Sequence, residues 1–195
     1  MKTLVVGNGP SSVSLGDRIN NFDYVVRFNN YQLVDGVGER TDLHLLNGSD
    51  KYIKRFARKD NAVFLIHPSC FWNKKAYKLI DRDPHFCNYV YTNDTLSNAG
   101  LLHLQKPPEA PKKKCSTGLV GVLYLLSKKC EVHIIGFDGR PEGAAEGEHS
   151  DNSHYYDTGL EGERKVLSKN HDIKEEQRIL QALESQGKVH FLNKP

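Results

Sequence analysis

Residues 112–138 read KKKCSTGLVGVLYLLSKKCEVHIIGFD, and this stretch indicates the fold class of the chain. Ser116 and Thr117 are residue types that favour the start of a helix, and the apolar run after them predicts a buried helix. The segment from Val132 to Ile135 suits a strand inside a sheet. A polar turn, a buried helix and a short strand in this order are typical of α/β proteins.

The Ser-Thr-Gly start of this helix predicts a binding site for an anion such as a phosphate. A helix N-terminus offers backbone N–H groups and hydroxyls to an anion, and Gly118 lets a ligand approach the backbone closely. The alternative is that Ser116 and Thr117 only cap the helix. The segment alone does not decide between these two interpretations.

The rest of the chain alternates short apolar strands with polar turns and helical segments. Helices are predicted from the glycine-rich loop to about residue 20, over 50–59, 71–80 and 94–104, and from about residue 171 to 186. The predicted strands are Thr3 to Val6, Tyr24 to Phe28, Leu43 to Leu46, Ala62 to Ile66, Tyr89 to Tyr91, Val132 to Ile135 and Lys188 to Leu192. This alternation predicts a single α/β domain over residues 1–195, with a mostly parallel sheet and helices on both faces.

The first strand ends in a glycine-rich loop, Gly7-Asn8-Gly9, which opens a Rossmann-like unit. Neither the third glycine of a dinucleotide fingerprint nor the Gly-Lys-Ser/Thr of a P-loop follows it, so neither kind of site is predicted. Asn8 and Asn29 each follow the end of a strand and are expected at one edge of the sheet, where amides can bind a base or a ribose. The equally good alternative is that each asparagine only forms a turn, because its side chain can hydrogen-bond to the nearby backbone.

Composition limits the classes of function. The chain has 195 residues, 38% hydrophobic content and a net charge of +3. A mild positive charge without a long basic stripe or a nucleic-acid motif favours small phosphate-bearing molecules over nucleic acid. No apolar run approaches the ~20 residues of a membrane span, and no signal peptide is recognisable. The four cysteines show no metal-binding spacing and are predicted to be free thiols.

Two histidines near the C-terminal end are candidates for chemistry. His154 lies in the segment NSHYYD and His171 in KNHDIKEE, each beside acidic residues. A histidine with a pKa near neutrality suits a general base or a phosphate ligand, and the residues alone favour an ordinary surface histidine as the alternative for each. The Asp81-Arg82-Asp83 segment has a form that holds divalent metals elsewhere, but beside Pro84 it is interpreted as a solvated helix end.

Short segments of the chain resemble, in the same order, the four sialyl motifs of glycosyltransferase family 29. VVGNG, VVRFN and VGERT, over 5–9, 25–29 and 37–41, are similar to the large motif. STG at 116–118 with IGF at 135–137 resembles the small motif, and HYYD at 154–157 the third. His171 with Glu176 resembles the very small motif. The GNGPS opening and the DNSHY segment are also similar to bacterial sialyltransferases of family 42.

The resemblance implies a modified type-A glycosyltransferase fold and an enzyme that moves a sialic acid or related acidic sugar, with inversion. The donor would be a CMP-sugar and the acceptor a hydroxyl of a glycan or glycolipid, with no metal or other cofactor. His171 would be the general base, His154 the phosphate ligand and Glu176 a supporting residue. Donor binding is implied for Asn8, Gly9, Asn29, Ser116, Thr117, Gly118 and Tyr156. A non-catalytic module that binds sugar nucleotides or glycans is the alternative.

The sequence also departs from the animal members that it resembles. Those enzymes join a cysteine of the large motif to one of the small motif, and Cys130 stands in the second position while residues 1–6 contain no cysteine. Their stem and membrane anchor have no counterpart here. Both differences predict a cytoplasmic protein of a microbe or virus.

Overall fold

The computed structural model describes residues 1–66, 78–80, 82–83, 85, 87–91, 95, 97–98, 115–138 and 173–192. These residues build one sheet of seven parallel strands, in the spatial order β5-β4-β3-β2-β1-β6-β7. The strands are β1 (Lys2–Val6), β2 (Tyr24–Phe28), β3 (Leu43–Asn47), β4 (Ala62–Ile66), β5 (Asn88–Tyr91), β6 (Glu131–Ile135) and β7 (Val189–Phe191). All seven predicted strands are confirmed, each to within two residues at either end.

The strand order changes direction between β1 and β6. From β1 the chain adds β2 to β5 on one side, and β6 and β7 then extend the sheet on the other side. In open α/β sheets such a reversal leaves a crevice at the carboxyl ends of the strands, and ligands bind there.

Helical segments cover both faces of the sheet, as predicted. One face carries α2 (Thr117–Ser127) and α3 (Ile173–Ser185), which pack on a core that includes Val5 and Leu45. The other face carries α1 (Asp50–Phe56) and two short 3-10 helices (Pro10–Ser14 and Gly16–Asn21).

Four of the predicted helices differ from the structure or lie largely outside the described residues. The helix expected to about residue 20 is instead two 3-10 helices, and Leu15 between them and Ile19 in the second are buried against β1. Helix α1 ends at Phe56, three residues before the predicted end. The predicted helices over 71–80 and 94–104 fall largely outside the described residues. In the described part of the chain, no helix has the length and apolar character that crossing a membrane requires.

Helix α2 approaches the sheet unusually closely. A Cβ atom added at Gly121 would collide with the ring of Phe28 and would lie 2.9 Å from Cδ1 of Leu45. The glycine therefore lets the helix backbone lie directly on β2 and β3, and this contact fixes the position of the helix start over the edge of the sheet.

Candidate functional site

The carboxyl ends of β1 and β6 are joined by backbone hydrogen bonds. Gly7 N–H donates to the carbonyl oxygen of Ile135 at 2.7 Å, and Gly9 N–H donates to that of Gly136 at 2.9 Å. An added Cβ at Gly7 would collide with the Gly136 carbonyl, and one at Gly9 with the Asp138 carboxylate. Gly9 has φ −75°, so close approach, rather than backbone conformation, requires glycine there.

Side chains reinforce the same junction. Ser11 N–H donates to Oδ2 of Asp138 at 2.9 Å, and Gly136 N–H donates to Oγ of Ser11 at 3.0 Å. Asp138 thus fixes the glycine-rich loop from across the switch point. Asp138 was not predicted as part of the site, although it follows the end of β6 as Asn8 follows β1 and Asn29 follows β2, and that position was the available signal.

Asn8 contains the unsatisfied polar atom of this loop. Its Oδ1 is inaccessible to solvent and accepts no hydrogen bond from the described residues. A buried acceptor without a partner costs about 1–3 kcal/mol, so native structures rarely retain one unless a ligand, an ion or water completes it. Thr3, Thr41 and Ser49 also contain a buried oxygen without a partner in the described part of the chain, and among these four atoms the Asn8 oxygen is the one in the glycine-rich loop at the switch point.

Asn29 is held in place by three contacts at the end of β2. Its backbone is left-handed, with φ 47°, and its N–H donates to the carbonyl oxygen of Leu45 at 3.0 Å. Its Oδ1 accepts the N–H of Asn47 at 2.9 Å. Its carbonyl oxygen lies 2.6 Å from Nε2 of His44. Burial lowers the pKa of His44, although the contact with Asn29 opposes that shift, so at neutral pH a neutral ring donates this hydrogen bond.

Asn47 and His44 were not predicted as part of the site. Asn47 ends β3 in the way that Asn29 follows β2, and this repetition in the sequence was a usable signal. His44 lies inside β3, where its ring packs edge-on against Tyr31 and Phe56. Its contact with Asn29 connects neighbouring strands, and a local sequence pattern does not reveal such contacts.

The start of α2 is occupied by a carboxylate of the chain itself. Ser116 caps the helix, since its Oγ accepts the N–H of Leu119 at 3.1 Å. Glu176, which is 9% exposed, accepts the N–H of Ser116 at 2.5 Å and the hydroxyl of Ser116 at 2.6 Å. The hydroxyl and N–H of Ser116 therefore already have an anionic partner, which revises the expectation that they lie open to a phosphate.

Helix α3 is connected to the end of β6 by a second side chain. Gln177 Nε2 donates to the carbonyl oxygen of Phe137 at 2.7 Å. The Phe137 ring packs edge-on against Phe28 and lies where a Cβ on Gly118 would be, since the added atom would come within 2.9 Å of Cε1. Gly118 therefore permits this packing at the helix start.

The cysteine beside Ser116 is not a nucleophile. Burial, with a further contribution from the charge of Glu176, raises the pKa of Cys115 to about 12. The thiol thus stays protonated at neutral pH, and only the thiolate reacts as a nucleophile. Within the described ranges Cys87, Cys115 and Cys130 are free.

Several predicted site residues lie outside the described residues, namely His154, Tyr156 and His171. Asp81 lies outside them as well. Asp83 is described, and its Oδ1 accepts the N–H of His85 at 3.1 Å. Asp83 is exposed and its N–H donates to the carbonyl oxygen of Leu79 at 2.9 Å, which agrees with the interpretation as a solvated helix end. Thr117 and Gly118 begin α2 beside Ser116, as predicted.

Comparison with known proteins gives a family and a fold. The sequence model of glycosyltransferase family 29 (sialyltransferase) matches residues 51–188, more than half of the chain. No curated protein is significantly similar in sequence. A variant of the sialyltransferase CST-II in complex with CMP has a TM-score of 0.65 and 15% identity, over 98% of this chain and 81% of that one.

Two further solved structures show the same likeness. Sialyltransferase Cst-I from Campylobacter jejuni has a TM-score of 0.60 and 15% identity, over 98% of this chain and 76% of that one. A mammalian sialyltransferase in complex with Gal-beta-1-3GalNAc-ortho-nitrophenol has a TM-score of 0.60 and 19% identity, over 99% and 69%. At these identities the likeness establishes the fold, while the match to the sequence model establishes the family. The chain belongs to glycosyltransferase family 29, the sialyltransferase family, and is a glycosyltransferase.

Proposed function

We propose that the chain transfers a sialic acid or a related acidic sugar, with inversion, from a CMP-sugar to a hydroxyl of a glycan or glycolipid. The observation that carries this proposal is the unpartnered Asn8 oxygen at the switch point of a family 29 fold. Similar structures support the donor, since CST-II variants or complexes contain CMP and the substrate analogue CMP-3FNeuAc. Other complexes in the same set contain glycan acceptors.

The two asparagines offer complementary groups to the nucleotide. Asn8 presents an acceptor, and a nucleoside supplies donors to it through its ribose hydroxyls or the exocyclic amine of cytosine. Asn29 uses its Oδ1 to hold Asn47, so Nδ2 is the part of its side chain assigned to the ligand. Gly9 lies beside Asn8, and because it has no side chain the nucleotide can approach the backbone of the loop closely.

The carboxylate of Glu176 determines which part of the donor we place at the start of α2. Because Glu176 binds Ser116 at the start of α2, a second anion there would be repelled. We therefore assign Ser116, Thr117 and Gly118 to the ribose and base side of the donor. The phosphate is assigned to His154 and Tyr156, in the segment that resembles the third sialyl motif.

Transfer needs one group to accept a proton and another to stabilise the leaving group. The acceptor hydroxyl loses its proton to His171 as it attacks the sugar from the face opposite the nucleotide, and such a base contributes about 10²–10⁴-fold. The departing CMP gains charge on its phosphate, which His154 and Tyr156 stabilise as donors. A monophosphate leaving group needs no metal ion for this, and none is assigned.

Two histidine variants test these assignments. We expect His171→Ala to lower kcat by about 10²–10⁴-fold with CMP affinity nearly unchanged, because a base contacts the acceptor rather than the nucleotide. We expect His154→Ala to weaken CMP binding as well as slow transfer. Transfer from CMP-N-acetylneuraminic acid to a galactose-terminated acceptor and calorimetry with CMP measure the two effects. The matched control is His85→Ala, in a turn outside the site.

Two outcomes would contradict the mechanism. Near-normal turnover of His171→Ala with a full acceptor would contradict the assignment of His171 as the general base. Turnover that disappears in EDTA and returns with manganese would instead point to a metal site at Asp81 and Asp83.

With the assigned base, the rate is expected to fall at low pH as His171 becomes protonated, and the His171→Ala variant loses that dependence.

A further inference from the structure

Three side chains that bind metals well lie together on β6 and β7, away from the carboxyl ends of the strands. Glu131 and His133 belong to β6 and His190 to β7. One ligand atom from each of them lies within 4.8 Å of the other two. None of the three is assigned to the donor site, although Glu131 and His133 lie between the two parts of the segment that resembles the small motif.

The register of the sheet brings these residues together. His133 pairs directly with His190 across the parallel strands, so the two rings project from the same face. Glu131 precedes His133 by two residues and therefore shares that face. Among the described strands β7 is the last of the sheet, so the cluster lies at this edge. Glu131 is 53% exposed and His133 12% exposed at the side chain, and His190 is exposed.

The side chains are already close to a coordinating arrangement. Nε2 of His133 lies 2.8 Å from Oε1 of Glu131. The rings of His133 and His190 lie 4.8 Å apart between centroids and are tilted by 31°. The edge-on contact of Phe22 at 5.2 Å holds the His133 ring in place. The protein thus fixes one imidazole and leaves the two more exposed ligands to adjust.

We propose that Glu131, His133 and His190 bind a zinc ion, or a first-row divalent ion of similar chemistry, at a site separate from the donor site. Two imidazoles and one carboxylate are a ligand set that Zn²⁺ takes, with metal–ligand distances of about 2.0–2.2 Å and water in the fourth position. These distances place ligand atoms about 3.4 Å apart, which rotation of the exposed side chains achieves from the observed spacing. Mg²⁺ and Ca²⁺ prefer oxygen ligands and do not suit the site.

The ion would join the last strand of the sheet to its neighbour. Strand β7 has three residues and pairs only with β6 among the described strands, so a bond through His190 adds a link at the edge. Lys2 opposes the ion, because its ammonium lies near the cluster, over the ring of Phe22 at 5.0 Å from the centroid. The expected effect of zinc is therefore on stability, with sugar transfer unchanged, since no ligand belongs to the donor site.

Calorimetry and thermal unfolding of the metal-stripped full chain with Zn²⁺ alone, and with Mg²⁺ alone, test the proposal. We expect one Zn²⁺ per chain, an increase in Tm with zinc and none with magnesium. His190→Ala and Glu131→Gln each should weaken zinc binding at least tenfold and remove most of the Tm increase, with turnover unchanged. His85→Ala, which removes a histidine elsewhere, should bind zinc as the original chain does.

Glu131 and His190 are the better positions to substitute, because both side chains are exposed. His133 is nearly buried, so His133→Ala confounds binding with folding, whereas His190 and Glu131 are exposed enough to change without that problem. Zinc binding that His190→Ala leaves within twofold would overturn the site. An equal Tm increase with magnesium, or a loss of zinc binding in His85→Ala alone, would do the same.

Discussion

Glu176 joins two helices through both oxygens of its carboxylate. Glu176→Gln would replace one acceptor by an NH₂ group that faces the N–H or the hydroxyl of Ser116, and the lost contact is buried. We expect the free energy of unfolding to fall by about 1–3 kcal/mol, measured by urea denaturation.

A double-mutant cycle separates this contact from a general effect on the helix. Ser116→Ala, Glu176→Gln and the double variant should give a coupling energy of about 0.5–3 kcal/mol. The control in the same helical turn is Glu175→Gln, which removes the exposed ion pair with Arg178 and should cost less than about 1 kcal/mol. An equal loss of stability in Glu175→Gln and Glu176→Gln, with no coupling to Ser116, would contradict the assigned contact.

His44 makes the fold sensitive to pH. Burial lowers its pKa from 6.5, and the charges of Lys59 and Arg55 act in the same direction. The unfolded chain therefore takes up a proton at a higher pH than the folded chain does. By linkage the contribution of His44 is fully present above pH ~6.5 and is lost as the pH falls toward the lowered value. The free energy of unfolding should decrease as the pH falls from about 7.5 to 5.5, and we expect this decrease to be smaller in His44→Gln.

The glutamine variant is informative because an amide nitrogen still donates to the carbonyl oxygen of Asn29 while it does not titrate in this range. CMP affinity at pH 8 should therefore stay close to that of the original chain, whereas His44→Ala should weaken it by removing the support of Asn29. A His44→Gln variant with an unchanged pH slope would show that other groups control the acid sensitivity.

At the scale of elements, Gly121 is the position where α2 approaches the sheet closely. Alanine normally favours a helix interior by about 0.5–1 kcal/mol over glycine. Here the added methyl group would collide with Phe28 and crowd Leu45, and overpacking costs about 1–3 kcal/mol. We expect Gly121→Ala to lower the free energy of unfolding by chemical denaturation. Ser127→Ala, at the exposed end of α2, is the control, and a more stable Gly121→Ala would show that the helix moves aside easily.

The elements were more predictable than the contacts between them. Each strand is an apolar run between turn residues, and buried parallel strands carry that signal locally. The segment after Gly9 is different: Gly16, with φ 47°, separates two short turns, and so a continuous α-helix does not form. The pairing of Glu176 with Ser116 crosses 60 positions, so the motif resemblance indicated Glu176 but only the fold shows its partner.

On the scale of the whole molecule, the edge of the sheet is built from both ends of the sequence. Residues of the first strand and its loop meet the end of β6, and α3 closes on the start of α2. A nucleotide bound there would contact segments that are far apart in the sequence. Its binding energy therefore adds to the stability of the whole fold, and unfolding is a sensitive measure of which nucleotide fits.

The acceptor that Asn8 contains at this edge predicts a preference for cytosine over uracil. A ligand at 100 times its Kd stabilises the native state by about 2.7 kcal/mol, which corresponds to an increase in Tm of about 5–10 °C for a chain of this size. We expect CMP to give such an increase and UMP at the same concentration to give a clearly smaller one, because cytosine has a donor amine where uracil has an acceptor oxygen. Adenine and guanine also carry amines, so the smaller increases expected with AMP and GMP follow from the proposed CMP-sugar donor and not from Asn8. Asn8→Ala should remove most of the CMP increase, while Asn20→Ala, at an exposed position of the second 3-10 helix, should retain it. If UMP stabilises the chain as much as CMP does, the base is not recognised at this edge. If Asn8→Ala keeps the full increase in Tm with CMP, the unpartnered oxygen of Asn8 does not bind the nucleotide.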